Sequence, residues 1–135
     1  MRHRVKTTRF GRTASQRSAL MAALVSSLIM ERRISTTLAK ARAARSLAEK
    51  MTTLAKTGTL AARRRVLQTI RNKKAVQILF ADLAPNYKDR AGGYCRIVKS
   101  GQRRSDASAM AVLEWVGLSQ VDRKKKEKAE EKKQA

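Results

Sequence analysis

The stretch Ala91-Gly92-Gly93-Tyr94-Cys95-Arg96-Ile97-Val98-Lys99 decides the fold class. Upstream of it, apolar residues recur every three or four positions. Within it they begin to alternate with polar ones, and aromatic and β-branched types take over. Gly92-Gly93 marks a turn or bulge at its entrance. Residues 100–108 are polar and include Gly101 and the pair Arg103-Arg104. Met110-Ala111-Val112-Leu113-Glu114-Trp115-Val116 then reads as a second strand, and Gly117 ends it. The pattern predicts an antiparallel hairpin with a long basic loop.

Working outward, the preceding sequence predicts four helices. In the first, residues 15–32, Leu20, Leu24 and Leu28 form one i,i+4 row and Met21, Val25 and Ile29 the adjacent row. Thr13 and Ser15 offer oxygens for its N-cap. Arg33-Ile34-Ser35-Thr36 reads as a short β-compatible connection. Thr37 then caps a second helix over residues 38–56, whose Leu38, Ala41, Ala44, Leu47 or Ala48, Met51 and Leu54 share a face. Gly58 stops it. A third helix over residues 60–71 starts from Thr59 and points Leu67 and Ile70 inward. A fourth over residues 73–83 groups Val76, Leu79, Phe80 and Leu83, and Pro85 is expected to end it at Ala84. The fold class is therefore α+β, about four helices packed with a small antiparallel sheet. Residues 1–12 form an extended basic arm, residues 13–117 a single domain, and residues 118–135 a Lys/Glu-rich tail, disordered or helical.

Catalysis is disfavoured. The single histidine, His3, lies in the arm with no rigid element around it, and Cys95 has no folded histidine to activate it. Glu31, Glu49, Asp82, Asp89, Asp106 and Glu114 are scattered and suit pairing with neighbouring cations. No metal site is expected from them, and one cysteine allows neither an internal disulfide nor a Cys-based zinc site. Gly92-Gly93 matches no phosphate-loop pattern, so no cofactor and no small-molecule substrate are expected. The longest apolar run, Leu20 to Met30, is too short to cross a bilayer, so no membrane insertion is expected. By composition the acid-free arm is compatible with a mitochondrial-type presequence, whereas no cleavage site for a secretory signal follows the apolar run.

What remains is charge. The 135 residues carry 32 Lys+Arg against 10 Asp+Glu, a net +22, with aromatics at 4%. So large an excess on so short a chain calls for a polyanion: nucleic acid, an anionic membrane surface or an acidic protein. The candidate contacts are Arg2, His3, Arg4, Lys6, Arg9 and Arg12 in the arm and Arg17 at the head of the first helix. A middle cluster follows, Arg63, Arg64, Arg65, Arg71, Lys73 and Lys74. The last group is Arg90, Arg96, Lys99, Arg103 and Arg104 around the hairpin. Arginine forks pair bidentately with phosphate. Cations spread over arm, helices and loop suit a folded RNA, read by shape and backbone with few aromatics. A DNA-compacting or regulatory protein would share this composition, and the second and third helices could imitate a helix-turn-helix.

Several segments resemble the bacterial-type large-subunit ribosomal protein seventeen family. They are Met1-Arg2-His3-Arg4, the Ser26–Leu28 stretch of the first helix, Ile34-Ser35-Thr36-Thr37-Leu38-Ala39-Lys40-Ala41, Thr53-Leu54-Ala55-Lys56-Thr57, Leu79-Phe80 and above all Arg90-Ala91-Gly92-Gly93-Tyr94-Cys95-Arg96-Ile97. The similarity covers about residues 1–116. Cys95 departs from the pattern, where a hydroxyl residue is more usual. The resemblance implies a structural constituent of the ribosome, in the cytoplasm, that binds large-subunit ribosomal RNA near the exit of the peptide tunnel. It also implies neighbouring large-subunit ribosomal proteins as partners and an arm belonging to the mature protein. Gly92 and Gly93 would allow a tight turn or a close approach to RNA.

Overall fold

The computed structural model describes residues 8–118. Helix α1 (Ala14–Glu31) opens with a capping box: the Thr13 hydroxyl accepts from the Gln16 amide, and the Gln16 side chain accepts from the Thr13 amide. Its two apolar rows bury Val25, Leu28 and Ile29 completely. Each such side chain stabilises the fold by about 1.5–3 kcal/mol. Helix α1 stops at Arg32, whose φ of 66° lies in the left-handed region. The turn brings the chain directly into a strand, β1 (Arg33–Thr37).

That strand corrects the expectation of a mere connection. Ile34, Thr36 and Thr37 have the β-branched shape that fits a pleated surface, but their partner strand comes only near the end of the described residues. The sheet has the order β1-β3-β2, with β2 (Cys95–Gln102) and β3 (Ala109–Trp115), all antiparallel. The expected hairpin of β2 and β3 is present. Strand β1 lies along the other side of β3, with Ile34 opposite Leu113 and Thr36 opposite Ala111. A bulge falls between Lys99 and Gly101, and Gly101 adopts φ 86°, which a side chain would resist.

Helix α2 (Leu38–Lys56) follows β1 without a loop. Thr37 occupies its N-cap with extended backbone, but its side chain makes no capping bond. The inward face of α2 is small: Ala41, Ala44, Ala48 and Ala55 are buried, with Met51 among them. Small residues let α2 approach both α1 and the sheet closely. Helices α3 (Leu60–Thr69) and α4 (Lys73–Ile78) are capped by Thr59 and Asn72, which accept from the Ala62 and Ala75 amides.

Pro85 does not end the last helix. From α4 the chain widens into a π-helical turn (Leu79–Leu83), in which the Ala84 amide reaches back to the Leu79 carbonyl. A further helical turn (Ala84–Asn86) follows, with Ala84 at φ −59° and ψ −42°. The wider turn gives the proline ring room that a regular α-turn would deny it. It also carries Asp82 to the buried Arg32 guanidinium, 50 residues earlier, where the two form an ion pair. Arg32 Nε and Nη1 are buried without a hydrogen-bond partner among the described residues.

The layers close on Trp115. Its indole donates to the Leu28 carbonyl (2.9 Å), and its amide donates to the Arg32 carbonyl (3.2 Å). Tyr87 packs on it at 6.1 Å and on Tyr94 at 5.3 Å between ring centroids. The Tyr87 hydroxyl donates to the Val116 carbonyl, and burial pushes this phenol well above its ordinary pKa.

Candidate nucleic-acid interface

The middle cluster is built by the junction of α3 and α4. Val66 and Ile70 anchor α3 in the core, so Arg63, Arg64 and Arg65 fall on its solvent side. Asn72 starts α4 abruptly and leaves Arg71, Lys73 and Lys74 exposed around the cap. No acid is interleaved. Arg64, Arg65, Arg71, Lys73 and Lys74 make no ion pair to another described residue. Arg63 likewise makes no ion pair to a described residue, but its guanidinium stacks 4.8 Å from the Phe80 ring, which fixes its direction.

The Gly92-Gly93 turn is tied to this cluster. Arg65, Lys50, Ala91 and Gly92 border one shallow groove with Tyr94 and with Glu49, an acid paired to Arg45. Lys56 reaches from the end of α2 to donate to the Arg90 carbonyl (2.6 Å) and the Tyr94 hydroxyl (3.3 Å), which holds the turn in place. Gly93 has φ 66°, a backbone state that favours glycine, whereas Gly92 has an ordinary one. A Cβ at either position would meet nothing within 4 Å among the described residues.

The hairpin cations are deployed otherwise. Glu114 on β3 lies between Arg33 on β1 and Arg96 on β2, with N–O distances of 3.5 and 2.6 Å. In the loop, Arg103 grips Asp106 with two hydrogen bonds of 2.9 and 2.6 Å. That fork, helped by Ser108, holds the Asp106 carboxyl well below the usual carboxylate range, and the same contact raises Arg103. Lys99 and Arg104 stand exposed nearby.

Of the arm contacts, Arg2, His3, Arg4 and Lys6 lie outside the described residues. Arg9 and Arg12 close a tight turn (Arg12 amide to Arg9 carbonyl, 3.1 Å), and Arg12 Nη1 donates to the Phe10 carbonyl. Arg17 reaches back to the Arg12 carbonyl. Sequence reasoning missed Arg42 and Lys50, which share an open groove with Arg17. A signal was available: Ala39, Arg42, Ala43, Ser46, Leu47 and Lys50 recur at steps of three, one, three, one and three, so they lie on one helical face.

Cys95 is buried at the start of β2, and burial pushes its thiol well above the ordinary value, which describes an inert core residue. Among the described residues no group of three or more His, Cys, Asp or Glu side chains is placed to hold a metal ion. Nor is any helix among them long and apolar enough to cross a membrane.

These features define a class: a small, strongly basic α+β protein that displays its cations outward from an apolar helical core and a three-stranded sheet. The family model described as "Ribosomal protein L17" matches residues 20–116, and the chain belongs to that family. It is similar to the large ribosomal subunit protein bL17 of Methylacidiphilum infernorum, at 50% identity over 96% of this chain and 100% of the relative. Its likeness to the bL17 of Trichlorobacter lovleyi is 52% over 86% of this chain and 94% of that protein. With the Akkermansia muciniphila bL17 it is 48% identical over 94% of this chain and 93% of the other.

Proposed function

We propose that this protein is a structural constituent of the large ribosomal subunit that binds and stabilises folded large-subunit ribosomal RNA through arginine and lysine contacts to phosphate, and so supports translation. The observation that carries this reading is the acid-free junction of α3 and α4, where Arg64, Arg65, Arg71, Lys73 and Lys74 are exposed and unpaired among the described residues. Cations spaced along rigid helices meet phosphates in a fixed register, and their mutual repulsion is relieved by the contact. Residues 8–12 lead into α1, the Gly92-Gly93 turn adjoins Arg65, and the hairpin loop adds Lys99 and Arg104. Together they offer phosphate contacts in several directions, which suits RNA segments that converge. The role is architectural rather than catalytic. It places the protein in the cytoplasm on the ribosome, with other large-subunit proteins as neighbours.

Sedimentation of a cell lysate at moderate salt tests this. The protein should travel with large subunits and be released as salt rises. Protein remaining at the top of the gradient at low salt contradicts the proposal. In a competition binding assay at physiological salt, large-subunit ribosomal RNA should displace duplex DNA. The reverse preference would favour a DNA-compacting role.

A further inference from the structure

The five aromatic rings of the chain have unequal surroundings. Tyr87, Tyr94 and Trp115 pack together in the core. Phe80 lies under Arg63. Phe10 has no stacking partner among the described residues and is only partly buried, at the edge of a groove between α1 and α2. Its position is built rather than incidental. Phe10 and Gly11 both adopt positive φ (55° and 60°), which a phenylalanine resists. The turn that imposes this is closed by the Arg12 amide on the Arg9 carbonyl, with the Arg12 guanidinium on the Phe10 carbonyl and the Arg17 guanidinium on the Arg12 carbonyl. A strained, cross-braced turn that holds an aromatic ring at the mouth of a groove is the kind of device found at ligand clamps.

The groove has a volume of about 610 Å³, within the roughly 300–1,000 Å³ of small-ligand sites. Met21 and Leu47 supply apolar lining, Arg17, Arg42 and Lys50 supply charge, and no acid among the described residues lines it. We infer that this groove seats a single unpaired nucleotide of the RNA, with its base stacked on Phe10 and its phosphates held by Arg17, Arg42 and Lys50. The inference rests on the RNA-binding reading and deepens it. Charge complementarity selects the occupant. The preceding arm carries Arg2, Arg4 and Lys6 and no acid, so it is repelled by a cationic groove, as a second copy of this basic chain would be. A nucleotide matches both halves of the site, because it joins a flat apolar face to an anion.

The test uses the full-length protein and a large-subunit ribosomal RNA transcript. Phe10→Ala should weaken binding about five- to a hundredfold, the range for loss of one base–aromatic stack. The slope of log affinity against log salt should stay as it was, because no phosphate contact is lost. Phe10→Trp should bind like the parent. Arg17→Ala combined with Arg42→Ala should instead lower the slope by roughly 0.7 for each phosphate released. Thermal melting of each variant checks folding. Short-wavelength ultraviolet irradiation of the parent complex, followed by nuclease digestion and mass spectrometry, should find a nucleotide on the Phe10 peptide. Parent-like binding by Phe10→Ala overturns the seat while leaving the RNA-binding reading intact, and so does cross-linking of that peptide to protein instead of nucleotide. Failure of the parent itself to bind the transcript overturns both.

Discussion

On the α3–α4 junction, Arg64, Arg65, Arg71, Lys73 and Lys74 stand with no acid among them, whereas on the outer face of the sheet Arg33 and Arg96 flank Glu114 and, in the loop, Arg103 grips Asp106. Both regions are rich in cations, yet the first leaves all of these unanswered within the described fold, whereas in the second Arg33, Arg96 and Arg103 are paired and Lys99 and Arg104 stand exposed. A guanidinium already held by a carboxylate adds little net field and must exchange partners before it meets a phosphate. Exposed pairs of this kind contribute only about 0.2–1 kcal/mol, so the exchange is possible, but the local charge is partly cancelled. Pairing, more than the number of basic residues, thus separates a surface built for an external polyanion from one whose cations first serve the protein's own sheet and loop.

The largest effect should come from removing what both regions stand on. Trp115→Ala takes away a buried ring and the indole bond to Leu28, and should cost about 3–5 kcal/mol of stability. Chemical denaturation measures it. A loss below 1 kcal/mol would mean that the sheet and α1 are joined by something other than this ring.

Next comes the junction itself. Replacement of Arg64, Arg65, Lys73 and Lys74 by alanine should lower the salt slope of ribosomal RNA binding by roughly three, at about 0.7 per single-stranded phosphate contact, with the thermal midpoint nearly unchanged. An unaltered slope would show that these cations face solvent rather than RNA, and the contrast with the sheet would collapse.

A smaller change should erase the contrast from the other side. Glu114→Gln frees Arg33 and Arg96 together and makes the sheet face cationic. RNA affinity at low salt should then rise a few-fold and its salt slope steepen by about one. Affinity that falls instead would mean that the Glu114 ion pairs are needed to present this face.

The smallest effect concerns the loop. Asp106 has its carboxyl lowered by the Arg103 and Ser108 hydrogen bonds. Its contribution is therefore fully present above the ordinary carboxylate pKa and is lost only as pH falls through the lowered, folded-state value. In an NMR pH titration, the Asp106 carboxyl should stay ionised to lower pH in the parent than in an Arg103→Ala variant. The same titration in both proteins would show that the fork does not persist in solution.

Much of this was legible along the chain. The rows Leu20/Leu24/Leu28 and Met21/Val25/Ile29 placed α1, the small face of Ala41, Ala44 and Ala48 placed α2, and the alternation after Tyr94 placed the hairpin. Local spacing suffices there because the period of 3.6 or 2 is set within each element, whatever it later packs against. Strand β1 escaped because Ile34 and Thr36 are two apolar-compatible positions in a short segment, and their partners Leu113 and Ala111 become adjacent only after the whole helical region has folded. The π-helical turn escaped because Pro85 carries the same local signal whether the preceding turn is regular or widened.

The site divides in the same way. Composition and spacing by themselves determined that this chain is a basic α+β protein and which of its cations cannot be core, since charge and periodicity are properties of the sequence. Only the tertiary structure decided which of those cations are free. The sheet set Glu114 between Arg33 and Arg96, and the π-helical turn carried Asp82 to Arg32. The packing of α1 on α2 gathered Phe10, Arg17, Arg42 and Lys50 around one groove. Each of these outcomes depends on distances between residues far apart in the chain, and Coulomb and stacking energies follow distance in space.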